Sequence, residues 1–357
     1  MRVFKINQIF YCLILISIAY FSNFIFASEF TDASVYIGWF QRSLYELNYI
    51  DFGFIKRGLI GTIFKINYER IDILIKITSV SLVIFSTFIY SKITFAQKNK
   101  QIKKYLLLLG VSPFFFSNIG LDLGRLDHYG MLFFLTYIFF IINKKKTHIF
   151  NIAAPFLILI SEIHFFTVSI FIIYIELFFR RLNNFLIINI SLTIIIILCI
   201  LFFGSMDEEL IKIYSKIYYA VDIYFLRGQI NTSIYFWKLI LDFEATAIYR
   251  HLISIIFFLI ICYFYFIRID KSWKSFILMF IYFSTFFIGI DHARFLSIFI
   301  FNLTFVMLIL INKKGNFALP KFRNIYIVII FFGPWGINKA LPILTIIKKI
   351  VLGQIIF

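Results

Sequence analysis

Apolar runs separated by short polar connectors alternate along the whole chain. Runs of roughly 20 apolar residues, or shorter ones that a bundle accommodates by bending or thinning the bilayer, fall near 8–27, 73–96, 105–120, 129–143, 148–161, 165–179, 184–203, 251–267, 275–290, 295–312 and 325–338. They predict an all-α fold, a polytopic transmembrane helical bundle of about eleven spans. One integral membrane domain accounts for residues 1–357, and no fixed repeat of the solenoid or propeller kind recurs. Two longer polar stretches interrupt the pattern, about 28–72 and 204–250. In the second, Leu210, Ile211, Tyr214, Ile217 and Tyr218 recur at helical spacing among Glu209, Lys212 and Lys216, which predicts an amphipathic helix on the membrane surface. The final stretch, 337–357, carries Lys348 and Lys349 inside an apolar run and reads as an interfacial helix rather than a twelfth span. The first apolar run, about 19 residues long, exceeds the usual 7–15 of a signal peptide, so a retained anchor is expected.

Composition excludes an ordinary water-soluble protein. Hydrophobic residues make up 62% of the chain and charged residues only 15%, against about a half and a quarter in soluble domains. A net charge of +17 on a soluble chain would suggest nucleic acid, but here the position of the charges removes that reading. Lys98, Lys100, Lys103 and Lys104 follow the second span, and Lys144 to Lys146, Arg180 with Arg181, and Arg268 with Lys271 and Lys274 occupy later alternate connectors. This is the positive-inside pattern, with the N-terminus in the cytoplasm. On that map the inner side holds 19 basic and 2 acidic residues, and the outer side 13 basic and 16 acidic. Cys12, Cys199 and Cys262 sit apart in apolar runs without ligand spacing, so no metal or other cofactor is expected.

The outer connectors carry the chemistry. Between the third and fourth runs stand Asp122, Arg125, Asp127 and His128; between the fifth and sixth, Glu162 and His164; between the ninth and tenth, Asp291, His292 and Arg294. The flanking runs are short: 14 helical residues cover about 21 Å of a hydrocarbon layer roughly 30 Å thick. Charged groups held at such depth cost about 2.5 kcal/mol or more unless paired or in a wet cavity, which makes them functional candidates. Asp122 and Arg125, Arg125 and His128, and Asp291 and Arg294 are three residues apart, so helical turns would place each acid beside its own arginine. Glu162 and His164, two apart, would splay. Salt bridges that merely lock helix ends explain one such turn less strainedly than three on one face.

The first outer stretch adds Lys56 and Arg57 between Gly53 and Gly58, where backbone N–H groups and cations lie open to an anion such as phosphate. The same glycines also suit a broken start of the second span. Arg227, next to Gly228, is a further cation in the second outer stretch. A lipid-linked pyrophosphate sugar suits this set, with its tail in the bilayer and its sugar outside. Arginine binds pyrophosphate bidentately and stabilises it as a leaving group, while a carboxylate or histidine takes the proton of an attacking hydroxyl.

In span number, long outer loops, outward arginines and Ile-, Phe- and Lys-rich composition the chain resembles the Wzy-type O-antigen and capsular polysaccharide polymerases. These are polytopic inner-membrane glycosyltransferases of Gram-negative bacteria. The resemblance implies periplasmic, metal-independent transfer of a growing glycan from undecaprenyl pyrophosphate to the next lipid-linked repeat unit. It also implies a chain-length regulator protein as partner, alongside membrane lipids and without nucleic acid. Pyrophosphate binding then falls to Arg125 and Arg294, with Arg57, Lys56 and Arg227 in support. Arg227 and Arg250 do not stand in the spacing of the Arg-rich loop motifs described for some members. Among the remaining groups, His128 or His292 is the expected base, oriented by Asp127 or Asp291, and Glu162 with His164 is expected to hold the acceptor. Two other readings stay open: a multispanning transferase of single lipid-linked sugars using Asp32 or Asp51, and a flippase or transporter.

Overall fold

The computed structural model describes residues 6–27, 39–65, 70–112, 115–121, 123–179, 183–206, 208–209, 211–212, 228, 230–231, 233–234, 238, 245–268, 270–288 and 292–314. Among the described residues the regular structure is helical throughout, with no strand. The chain opens with α1 (Ile6–Ala27), followed by three short helices, α2 (Trp39–Glu46), α3 (Tyr49–Phe52) and α4 (Gly58–Phe64). Then come α5 (Ile71–Ala96), α6 (Lys100–Val111), α7 (Phe116–Leu121), α8 (Asp127–Ile142) and α9 (His148–Ile160). A π-helical turn, Phe165–Ser169, leads into α10 (Ile170–Phe179), and α11 (Asn184–Phe203) follows. The last helices are α12 (Ala245–Arg268), α13 (Trp273–Phe283), α14 (Thr285–Ile288) and α15 (His292–Lys314).

Three helices, α1, α5 and α11, are long and apolar enough to cross a membrane, and shorter apolar helices accompany them. On α11 the polarity is inverted relative to a soluble helix. Ile187, Ile194, Ile195 and Leu198 face outward, whereas Asn189 and Thr193 are buried. Inside, Asn189 Nδ2 donates to Asn151 Oδ1 of α9 at 3.3 Å, and Thr193 Oγ1 donates to Asn189 Oδ1 at 3.2 Å. Apolar side chains outside and hydrogen-bonded polar ones between helices are what lipid as solvent selects.

Where the apolar pattern is uninterrupted, helix and expected run coincide, as at 184–203. The run at 105–120 is instead broken in two. Helix α6 stops at Val111 and Ser112 turns extended, with ψ of 156°, as sterics require of the residue before a proline. The run at 275–290 likewise divides at Ser284 between α13 and α14. The expected span at 325–338 and the segment 337–357 lie outside the described residues, as does most of the 204–250 stretch.

Packing gathers the helices around a large aromatic-rich core, with α1 against α7 and α5, α5 against α8, α9 against α11, and α12 against α15. In it Phe115 stacks on Phe301 with ring centroids 4.1 Å apart. A second, smaller cluster lies within the first polar stretch and its neighbours: Leu44, Tyr45, Phe52, Ile55 and Ile60 meet Leu126 and Ile160. Ile211 joins this cluster and is buried there rather than lying against lipid, because the apolar floor offered by the first stretch covers it completely.

Candidate functional site

Residues 39–65 of the first polar stretch fold as a unit that sets Arg57. Asn48 caps α3 by accepting from the N–H groups of Ile50 and Asp51. Asp51 in turn forms an ion pair with Lys65, and Arg42 bridges Glu46 and Asp72 at 3.0 and 3.1 Å. Between α3 and α4 the chain reverses at Arg57, which takes the left-handed conformation with φ of 66°. That conformation costs a non-glycine residue about 1 kcal/mol or more. Gly58 next to it lets the Tyr49 ring lie on its Cα, where a Cβ would collide with the ring. The strained turn aims the guanidinium at the turn after α9, where Nε donates to Glu162 Oε2 at 2.7 Å and a second guanidinium nitrogen donates to Oε1. Burial alone raises a carboxyl group, but Arg57 and Lys56 beside it override burial and draw Glu162 from 4.5 down to about 2. Glu162 is therefore ionised, and both of its oxygens accept from Arg57.

A second pair closes the opposite side. Asp127, the first residue of α8, meets Arg294, near the start of α15, with Nε 3.2 Å from Oδ2. Arg125 and His128 also act electrostatically on Asp127. Tyr282, fully buried on α13, donates to the carbonyl of Phe295 at 2.7 Å and so ties down the start of α15. Between the two pairs lies His164, wholly buried. Its Nε2 is 3.1 Å from the carbonyl of Leu126, and because a carbonyl only accepts, Nε2 carries the proton. Nδ1 is 3.5 Å from Thr167 Oγ1. The ring lies against Gly130, where an added Cβ would press on it and stand 2.9 Å from Val168. Burial pushes the His164 imidazole down to about 4, against the opposing pull of Asp127, so it is neutral at pH 7.

Gly228, in the second polar stretch, reaches the same place. Lys56, with no exposed surface, donates its ammonium to the carbonyl of Gly228 at 3.3 Å, across 172 positions of sequence. Gly228 accepts this approach in a left-handed conformation, with φ of 81°. Lys56 and Ile211 thus join the two polar stretches over the floor formed by Leu126 and Ile160.

The structure brings Lys56, Arg57, Arg125, Asp127, Glu162, His164 and Arg294 into one constellation, with His128 buried beside Asp127. Asp122, Asp291 and Arg227 lie outside the described residues, and for His292 only the main chain, at the start of α15, is described. Two ion pairs across elements join those that spacing suggests within turns: Arg57 with Glu162 and Arg294 with Asp127. Glu162, expected to hold an acceptor with His164, binds Arg57; His164 is enclosed and clamps Leu126. Among the described residues no three His, Cys, Asp or Glu side chains group as a metal cage would require. What the constellation offers is positive charge: four cations, Lys56, Arg57, Arg125 and Arg294, act on two carboxylates, Asp127 and Glu162. No protein family, no curated protein and no solved structure matches the chain.

Proposed function

We propose that this chain is a membrane-embedded glycosyltransferase that polymerises lipid-linked oligosaccharide repeat units into O-antigen or capsular polysaccharide. In this reading the bundle has about eleven spans in a bacterial inner membrane, its N-terminus is cytoplasmic, and the constellation faces the periplasm. The observation that carries it is the surplus of two positive charges among the described residues of a largely buried site, with a neutral imidazole between the pairs. A site of that charge, far from free water, favours a dianion. The pyrophosphate of an undecaprenyl-linked glycan is one, and its lipid tail would lie in the bilayer between the helices.

The reaction is then a displacement at the anomeric carbon. The acceptor hydroxyl oxygen forms the new bond, the bond from that carbon to pyrophosphate breaks, and undecaprenyl pyrophosphate leaves with the electron pair. Arg125, Arg294 and Arg57 stabilise the charge that develops on the leaving group, with Lys56 and Arg227 in support. His128, adjacent to Asp127, takes the hydroxyl proton, and deprotonation of this kind is worth about 10²–10⁴ in rate.

Purified protein in liposomes, supplied with a lipid-linked repeat unit, tests the reading. A ladder of products is expected, lowered about a hundredfold in Arg294→Ala protein that is properly inserted. Addition of a single sugar, or movement of the lipid-linked sugar across the bilayer without a new glycosidic bond, would overturn it.

A further inference from the structure

We infer that Asn302 is a positioning residue for this site, acting from the middle of α15 through the π-helical turn at Phe165–Ser169. Asparagine inside an apolar helix is costly in lipid unless its amide is used. Here the side chain is buried, with Nδ2 donating to the main-chain carbonyl of Thr167.

That carbonyl lies within the turn where the helical register slips. The N–H of Ile170 reaches back to the carbonyl of Phe165, five residues away instead of four. An extra residue in a turn displaces carbonyls from the regular ladder, and such turns recur at functional sites because they redirect side chains. Thr167 then ties the turn to the site: its Oγ1 donates to the carbonyl of Ile163 at 3.1 Å and faces His164 Nδ1 at 3.5 Å. His164 holds the carbonyl of Leu126, whose neighbour Asp127 meets Arg294. Arg294 and Asn302 belong to the same helix, about 12 Å apart at 1.5 Å per residue. A single rigid element therefore grips the site twice, once at the ion pair and once at the turn that orients the imidazole between the pairs. Asn302 touches none of the charged groups and acts only through Thr167 and His164.

The importance of this positioning for ligand binding rests on the proposed pyrophosphate reading, so the experiment separates the two. Diethyl pyrocarbonate labelling of the purified full-length protein, read residue by residue by mass spectrometry, reports how well His164 is enclosed. Binding of inorganic pyrophosphate to the same preparations reports the anion site. In Asn302→Leu, which fills the volume but donates nothing, His164 labelling is expected to rise and pyrophosphate binding to weaken, each about tenfold, with unfolding still cooperative. Asn302→Gln, which keeps a donor, is expected to hold His164 labelling close to that of the unaltered protein. Should Asn302→Leu fail to fold, Asn302→Ala is read in the same way. Unchanged His164 labelling in a folded variant without the donor overturns the inference. If labelling rises while the unaltered protein binds no pyrophosphate, the positioning role stands and the anion reading falls.

Discussion

Glu162 and Asp270 are both carboxylates withdrawn from solvent, one just before the π-helical turn and the other against Tyr174, on the helix that follows that turn. Their partners differ in kind. Asp270 Oδ2 accepts from the hydroxyls of Tyr174 and Ser272, each at 2.7 Å, and from Ser275, while Oδ1 accepts from the N–H of Ser272 at 3.3 Å. Burial tends to raise its carboxyl, but those hydrogen bonds lower it below the usual carboxylate range. All of these donors are uncharged, and they tie the connection between α12 and α13 to α10. Glu162 and Asp127 are instead held by guanidinium groups from distant elements. A hydroxyl clasp offers only neutral donors, whereas a guanidinium–carboxylate pair contains a cation of the kind that also binds phosphates. Carboxylates thus join helices through hydroxyls beside Tyr174 and through a guanidinium ion pair at Glu162.

The comparison is broken most directly at Arg57. Arg57→Ala leaves Glu162 ionised and largely buried without its partner and is expected to destabilise the protein by about 3–5 kcal/mol in detergent-solubilised unfolding. If the loss is no greater than that of an exposed pair, Glu162 is solvated and the contrast with Asp270 disappears. Somewhat smaller losses, about 2–4 kcal/mol each, are expected from Asp127→Ala and Arg294→Ala, with the double variant losing far less than their sum. Strict additivity would show that the pair is not coupled.

Proton binding sharpens the contrast next. His164 is lowered from 6.5 to about 4, so the folded state binds its proton less readily than the unfolded state. Its contribution is fully present above pH 6.5 and is lost as pH falls from there towards 4, a change of about 2 kcal/mol between pH 7 and 5. His164→Gln should flatten stability across that window. Glu162, lowered from 4.5 to about 2, contributes above pH 4.5 and loses its contribution between those values, so the two groups separate on one titration. The smallest effect is expected at the hydroxyl clasp. Asp270→Asn retains an acceptor for the hydroxyls and should cost about 1 kcal/mol or less, with pyrophosphate binding unchanged. Loss of that binding would place both carboxylates in one functional unit.

Much of the helical scaffold is legible in the apolar pattern, because nothing but a helix satisfies a backbone in lipid from its own residues. The break after Val111 departs from the single run expected at 105–120, although Pro113 stands inside that run. The members of the site could be read from charges that lipid penalises. The pairs across elements could not: local spacing suggests Asp291 for Arg294 and Asp122 for Arg125, acids that lie outside the described residues, and gives no hint that Arg294 meets Asp127 or that Arg57 meets Glu162, 105 positions apart. Asn302 and Thr167 went unremarked in the sequence, although an asparagine within an apolar run carries the same cost that drew attention to the charged turns.

By itself the sequence determined a helical, membrane-suited chain and a small set of ionisable residues at the ends of its apolar runs, because composition and periodicity act locally. Only the tertiary structure decided that Arg57 binds Glu162, that Lys56 binds the main chain at Gly228, and that His164 stands enclosed between two ion pairs. Those contacts join residues far apart in the chain, and their energy depends on distance and burial, which no local pattern encodes.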